Sequence, residues 1–196
     1  DILIEEGTTN LLSANQSSVE TDLTGFTYDG ANVVLTRDTS VKLFGSASLK
    51  AVIPANAGYG PRTIVNTVPG LPGRTYTASI YLKGLNGNER LFMELQAFTA
   101  SETILNWATS YAVLSTEWQR FTVTLTTAEN TAYLSLKWGN NEALVQTFWT
   151  DGLQIEEKPY ATSWQIGGTV RLAEDLTIPR SSVLPSLNTF TIAFRA

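Results

Sequence analysis

Apolar and polar residues alternate with a period of two along most of this chain, in runs too short and too often interrupted for anything but β-strands. Thr75 to Lys83 (TYTASIYLK) places Tyr76, Ala78, Ile80 and Leu82 on one face. Leu91 to Phe98 (LFMELQAF) sets Leu91, Met93, Leu95 and Ala97 against Phe92, Glu94, Gln96 and Phe98. Trp118 to Thr126, Ala132 to Trp138 and Phe148 to Ile155 repeat the pattern, and Gly, Asn, Asp and Pro separate the runs. No stretch carries a helical stripe of useful length. Asn86-Gly87, between the first two runs, predicts a hairpin because both residue types tolerate positive φ. Several such strands spaced by turns read as an all-β, antiparallel sandwich or barrel.

Composition narrows the chemistry. The 196 residues are 43% hydrophobic, enough for a sizeable core, and only 16% charged. Lys plus Arg total 13 and Asp plus Glu 18, a net charge of −5. That balance argues against tracking a phosphate backbone, so no nucleic-acid partner is expected. No apolar run approaches a membrane span, so no membrane partner is expected either. The chain has no Cys and no His. Thiol nucleophiles, thiolate zinc sites, His-based triads and imidazole general bases are thereby excluded.

The ends predict a modular context. Asn188 to Ala196 (NTFTIAFRA) alternates like a strand, and a terminal strand needs a partner edge. The expectation is a piece of a longer protein. Residues 1–9 would leave a preceding module, 10–159 would form the domain, and 160–196 would lead into a following one. The competing expectation is that both tails pack on the same domain.

Five segments resemble one family in the correct order. They are Asn10-Leu11-Leu12-Ser13-Ala14-Asn15 followed by Ser18-Val19-Glu20, then Gly45 to Lys50 (GSASLK), Leu71 to Thr77 (LPGRTYT), Glu117 to Phe121 (EWQRF) and Thr150 to Glu157 (TDGLQIEE). Together they resemble jelly-roll carbohydrate-binding modules, with the first segment as the opening strand. Ile4 to Asn10 and Gln154 to Ser163 are also similar to the segments that flank this jelly roll in modular bacteriophage tail and tail-fibre proteins, where a concanavalin-like domain follows. The resemblance implies a non-catalytic module that recognises a polysaccharide or bacterial cell-surface glycan. It further implies a place in the virion tail and assembly into a homo-oligomer, commonly a trimer, in the intact protein. An accessory module of a secreted, extracellular polysaccharide-degrading enzyme is the alternative, and an architectural spacer without a sugar site is a third.

In such modules a structural calcium ties the first strand region to the last strand. The matching positions are Glu20 and Asp151. Asp151 has the parity of Leu153 and Ile155, which predicts that it points inward, where an unpaired carboxylate is costly and a cation relieves the cost. The competing expectations are a salt bridge to Lys50 or Arg120, or an Asp at the end of a strand capping a turn.

No catalytic residue is expected. Glycoside hydrolysis needs two carboxyl groups facing one cleft at about 5 to 10 Å. Glu5-Glu6 and Glu156-Glu157 are adjacent on extended chain and point to opposite faces. Glu20-Thr21-Asp22 opens like the Glu-x-Asp-x-x-Glu strand of concanavalin-like hydrolases, but position 25 is Gly25. Jelly-roll lyases combine His with Tyr, Gln and Arg, and there is no His here.

Binding asks only for aromatic platforms beside planar hydrogen-bonding groups. Trp138, just before Gly139-Asn140-Asn141, is expected to reach a rim. Trp107, in the apparently irregular Asn106 to Ser110, and Tyr59, in Ala57-Gly58-Tyr59-Gly60-Pro61, are further platform candidates. Arg62, Glu94 and Gln96 are the polar partners, with Arg62 offering a planar fork. For each aromatic, packing against the sheet is the competing expectation.

Overall fold

The computed structural model describes residues 5–56 and 58–173. In chain order the strands are β1 (Thr8–Thr9), β2 (Phe26–Asp29), β3 (Val34–Asp38), β4 (Ser48–Ile53), β5 (Gly60–Thr63), β6 (Val68–Pro69) and β7 (Thr75–Gly84). They continue as β8 (Arg90–Phe98), β9 (Ile104–Val113), β10 (Gln119–Thr126), β11 (Tyr133–Asn140), β12 (Gln146–Glu156) and β13 (Val170–Arg171). One sheet has five strands in the order β10-β7-β12-β4-β3. The other has six, in the order β2-β5-β11-β8-β9, with β6 also on β11. Pairing within both sheets is antiparallel, as the alternation predicts.

The alternating faces build the core between the sheets. Tyr76, Ala78, Ile80 and Leu82 of β7 and Leu91, Met93, Leu95 and Ala97 of β8 are all buried, joined by Leu49, Ile53, Leu134, Leu136, Trp138 and Phe148. Each large side chain removed from water contributes about 1.5–3 kcal/mol, which makes this double layer the main source of stability.

The predicted hairpin at Asn86-Gly87 does not form. β7 pairs with β10 and β12, and β8 with β9 and β11, so residues 85–89 carry the chain from one sheet to the other. Positive φ falls on Gly87 (67°) and Asn88 (107°). The corner is held from outside the turn, with Leu85 N–H donating to Thr147 O at 3.1 Å and Asn88 N–H to Leu114 O at 2.7 Å. The Asn-Gly signal places positive φ correctly at Gly87 but not at Asn86, and it names the partner strand wrongly.

The opening segment also differs from a strand. Ser13 and Gln16 form a reciprocal capping box and start one helical turn, α1 (Ala14–Ser18), which ends on Val19 in the left-handed region. Ahead of it, Asn10 is fully buried and completely bonded. Its Nδ2 donates to Leu153 O and Gln165 O, and its Oδ1 accepts from Leu12 N and Ile155 N. One side chain thus ties the beginning of the domain to β12.

The boundaries expected at 9/10 and 159/160 are corrected for the described residues. β1 pairs with β13, Glu6 bonds Lys158 and Tyr160, and Arg171 bonds Glu5. Gly167 N–H donates to Ser17 Oγ at 2.8 Å, and Trp164 stacks on Phe44 with ring centroids 4.0 Å apart. Residues 5–9 and 160–171 therefore close over the sandwich instead of leaving it. The expectations for 1–4 and for the strand Asn188 to Ala196, with the oligomer built on it, lie outside the described residues.

Candidate functional site

Directly opposed residues of an antiparallel pair share a face. Thr27, Arg62, Lys137, Glu94 and Thr109 accordingly form one outward row across β2, β5, β11, β8 and β9. Ser135, Gln96 and Trp107 form the next row on one side. On the other side Gly139, Phe92 and Tyr111 line up, with Asp29 opposite Gly60. Gly60 and Gly139 are bare because their backbones touch. A Cβ on Gly60 would lie 2.1 Å from the Trp138 carbonyl oxygen, and one on Gly139 2.1 Å from that of Tyr59.

Lys137 reaches across this bare strip. Its Nζ sits 2.8 Å from Asp29 Oδ2 and 5.5 Å from the centre of the Phe92 ring. Arg62 joins the other polar groups. Nη2 donates to Gln96 Oε1 at 3.1 Å, Nη1 to Asp29 Oδ2 at 3.4 Å, and the guanidinium lies 5.4 Å from the Phe98 ring centre. Gln96 Nε2 in turn donates to Glu94 Oε2 at 2.7 Å. Arg62, Gln96 and Glu94, named from sequence, are thus brought into one hydrogen-bonded chain on one face. Asp29 and Lys137, which complete it, were not named.

The aromatic candidates separate. Trp138 is corrected: it is 0% exposed, packs edge-on to Phe26 at 6.2 Å and donates its indole N–H to Thr150 Oγ1 at 2.9 Å. β11 runs on through Asn140, and Trp138 keeps the inward parity of Leu134 and Leu136. Tyr59 is corrected as an open platform, because it is half-buried against the core with its ring over Gly30. Trp107 lies in the regular strand β9, not in an irregular stretch, and is 55% exposed beside Gln96. Tyr111, four residues along the same face and 67% exposed, was missed. Its parity with Trp107 was the available signal. Phe92 and Phe98 are buried under Lys137 and Arg62, so the open aromatic surface of this face is on β9.

Glu20 and Asp151 flank one turn. Asp151 Oδ2 accepts from Leu43 N and Phe44 N, both at 2.9 Å, while Glu20 Oε2 accepts from Ser46 N and Ser46 Oγ. Asp151 is buried, but not by pointing inward. β12 is irregular between Asp151 and Gln154, with Gly152 at φ 56°, so parity resets there. Asp151 stands opposite Tyr81 on the outer side of the five-stranded sheet and is covered by the 43–46 turn. Burial pushes its carboxyl up to about 6, against the pull of the Phe44, Leu43 and Gly152 N–H groups, and the Glu20 charge adds to the rise. Glu20 Oε1 is buried without a hydrogen-bond partner. Lys50 lies over Trp149, and Arg120 is engaged with Ser79 and Tyr81, so neither expected counter-charge is committed to Asp151.

On the outward face the backbones of Asp29 and Glu94 are separated by β5 and β11, about 14 Å at the usual strand spacing, and Arg62 and Gln96 link their carboxylates across that gap.

No family model and no curated protein matches the sequence. Solved structures do. The CBM22-1 xylan-binding domain of Paenibacillus barcinonensis Xyn10C is 19% identical with a TM-score of 0.62, covering 80% of this chain and 99% of that one. The fold is that of a carbohydrate-binding jelly roll. The CBM22-1 and GH10 modules of a Clostridium thermocellum xylanase, complexed with xylohexaose, match this jelly roll at TM-score 0.62 and 16% identity over 76% of the chain. The jelly roll spans only 29% of that protein. The enzymatically active domain of tailspike protein 4 of bacteriophage CBA120 matches at TM-score 0.57 and 14% identity, over 74% of this chain and 21% of that one.

Proposed function

We propose that this jelly roll is a non-catalytic carbohydrate-recognising module that holds a polysaccharide on the outward face of its six-stranded sheet. The observation that carries the reading is the pairing on that face of an open indole, Trp107, with the planar hydrogen-bonding chain of Gln96, Glu94 and Arg62. An indole face covers the C–H side of a pyranose, and amide, carboxylate and guanidinium groups take its hydroxyls. Calorimetric titration with polysaccharides tests the reading: heat of binding is expected, with no new reducing ends after prolonged incubation.

The setting we favour is a phage tail or tail fibre binding a bacterial surface glycan. The flanking segments Ile4 to Asn10 and Gln154 to Ser163 and the tailspike likeness support it. The near-complete match to a free-standing xylan-binding domain supports an accessory module of a secreted polysaccharide-degrading enzyme instead. Sequencing the gene beyond this chain discriminates, since fibre repeats support the first and a catalytic domain the second.

Calcium belongs to the same reading. The residues fit a hard cation: an unpartnered buried carboxylate oxygen of Glu20 and a carboxyl of Asp151 whose ionisation burial opposes. Among the described residues no group of three or more His, Cys, Asp or Glu side chains could hold a metal, so the remaining ligands would be carbonyl oxygens, which calcium accepts. Bound there, the ion would neutralise both carboxylates and fix the 43–46 turn.

A further inference from the structure

The exposed apolar side chains of the outward face are not scattered. Ile104, Trp107, Tyr111 and Val113 all belong to β9, and all are exposed. From Asn106 to Val113 the register with β8 is unbroken, so Trp107, Thr109, Tyr111 and Val113 point the same way. The two rings stand four positions apart, which sets them about 13 Å from one another along the strand. β9 is the edge of its sheet and is pinned from behind, where Asn106 Nδ2 donates to Thr126 O at 2.9 Å and Ala128 N–H donates to Asn106 Oδ1 at 3.1 Å. Two rings on one pinned strand form a rigid pair of platforms. Between them Thr109 stands opposite Glu94, and beside Trp107 stands Gln96. Hydrogen-bonding groups therefore border one side of the aromatic stripe.

Charge gives the second constraint. Lys137 and Arg62 share Asp29 Oδ2, and Arg90 bridges to Glu142 at 3.8 Å. Glu94, which accepts from the neutral Gln96, supplies the third carboxylate and brings these three cations to a net charge of zero. No net positive charge is left over for an acidic sugar, and Glu94 beside the stripe would repel one.

We infer that the module takes an extended, uncharged glycan laid lengthwise along β9, stacked on Trp107 and Tyr111 with its hydroxyl edge toward Gln96, Glu94 and Thr109. This rests on the carbohydrate-binding reading and adds the direction, the minimum length and the charge class of the ligand. Two platforms about 13 Å apart cannot both be covered by one ring, so affinity depends on chain length. Nothing on this path selects a chain end, so internal segments of a polymer are bound.

The test is titration with xylo- and cello-oligosaccharides from the monosaccharide to the hexasaccharide, and with polygalacturonate as the charged control. Wild type, Trp107→Ala and Tyr111→Ala are compared. Both rings are exposed, so unchanged melting curves are expected for the variants. Wild-type affinity should climb with length and level off once a ligand spans both rings. Each substitution should weaken hexasaccharide binding about tenfold, and polygalacturonate should not bind. Hexasaccharide binding unchanged in both ring variants, but lost in Gln96→Ala, would overturn the lengthwise path while leaving the glycan-binding reading intact. Preferential binding of polygalacturonate would overturn the charge class. Binding of no sugar by the wild type would overturn the reading beneath it. Self-association abolished by the same two substitutions would assign the stripe to a second copy of the chain instead.

Discussion

Trp138 of one sheet donates its indole N–H to Thr150 Oγ1 of the other, a 2.9 Å bond buried in the middle of the sandwich. The bond satisfies the one polar atom of the largest core side chain and fixes how the two sheets face each other. Trp138→Ala should destabilise the domain by about 3–5 kcal/mol through the cavity it leaves. Trp138→Phe should cost about 1–3 kcal/mol, since the Thr150 hydroxyl loses its donor. Urea denaturation checks both. A Trp138→Ala variant of wild-type stability that has lost sugar binding would return the ring to the surface.

Glu156 holds both closing segments to the sandwich. Its fully buried carboxylate accepts from Thr8 Oγ1, Gln154 Nε2, Thr162 N and Thr162 Oγ1, joining both closing segments to β12. Glu156→Ala strands those donors, and a loss of about 3 kcal/mol is expected. A loss below about 0.5 kcal/mol, the range of an ordinary surface change, would mean that 160–171 is a departing linker after all.

Metal removal should lower the melting temperature of the wild type, because an ion bound only by the folded state stabilises it by mass action. Glu20→Gln should abolish that response. Chelation without effect on the wild type, together with no calcium by elemental analysis, would contradict the site.

A pH dependence follows from the same carboxyl group. Asp151 is raised from its ordinary 3.8 to about 6, chiefly by burial. Between those values the folded protein keeps a proton that the unfolded chain releases, so rising pH favours unfolding there. In chelator, the stability advantage of wild type over Asp151→Ala should therefore shrink as pH rises from about 4 to about 6 and stay constant above. An advantage that grows over that range would mean the carboxyl is not raised.

Much of this was legible in the residues, for reasons that also explain the failures. Strand alternation over Leu91 to Phe98 separates core from outward face because the pleat allows only two directions, and it also placed Glu94 and Gln96 side by side. The same rule, applied to Leu134 and Leu136, would have put Trp138 inside; the following Gly139-Asn140 suggested a rim only because a turn was read where β11 continues. Parity failed at Asp151 because Gly152 inserts an irregularity that no alternation count reveals. Lys137, Asp29 and the sheet change at residues 85–89 depend on which strands are neighbours, and that pairing is set by long-range packing. Thr162 and Gln165, bonded to β12 from a segment read as linker, were hidden for the same reason.

The outward face of the six-stranded sheet is the surface we propose for sugar binding. Backbone amide chemical shifts of the isotope-labelled domain, followed while xylohexaose is added, test it most directly. Progressive shifts confined to β8, β9 and β11 are expected, largest around Gln96, Trp107 and Tyr111. Shifts confined to β10, β7 and β12 of the opposite sheet, or none at saturating sugar, would contradict it.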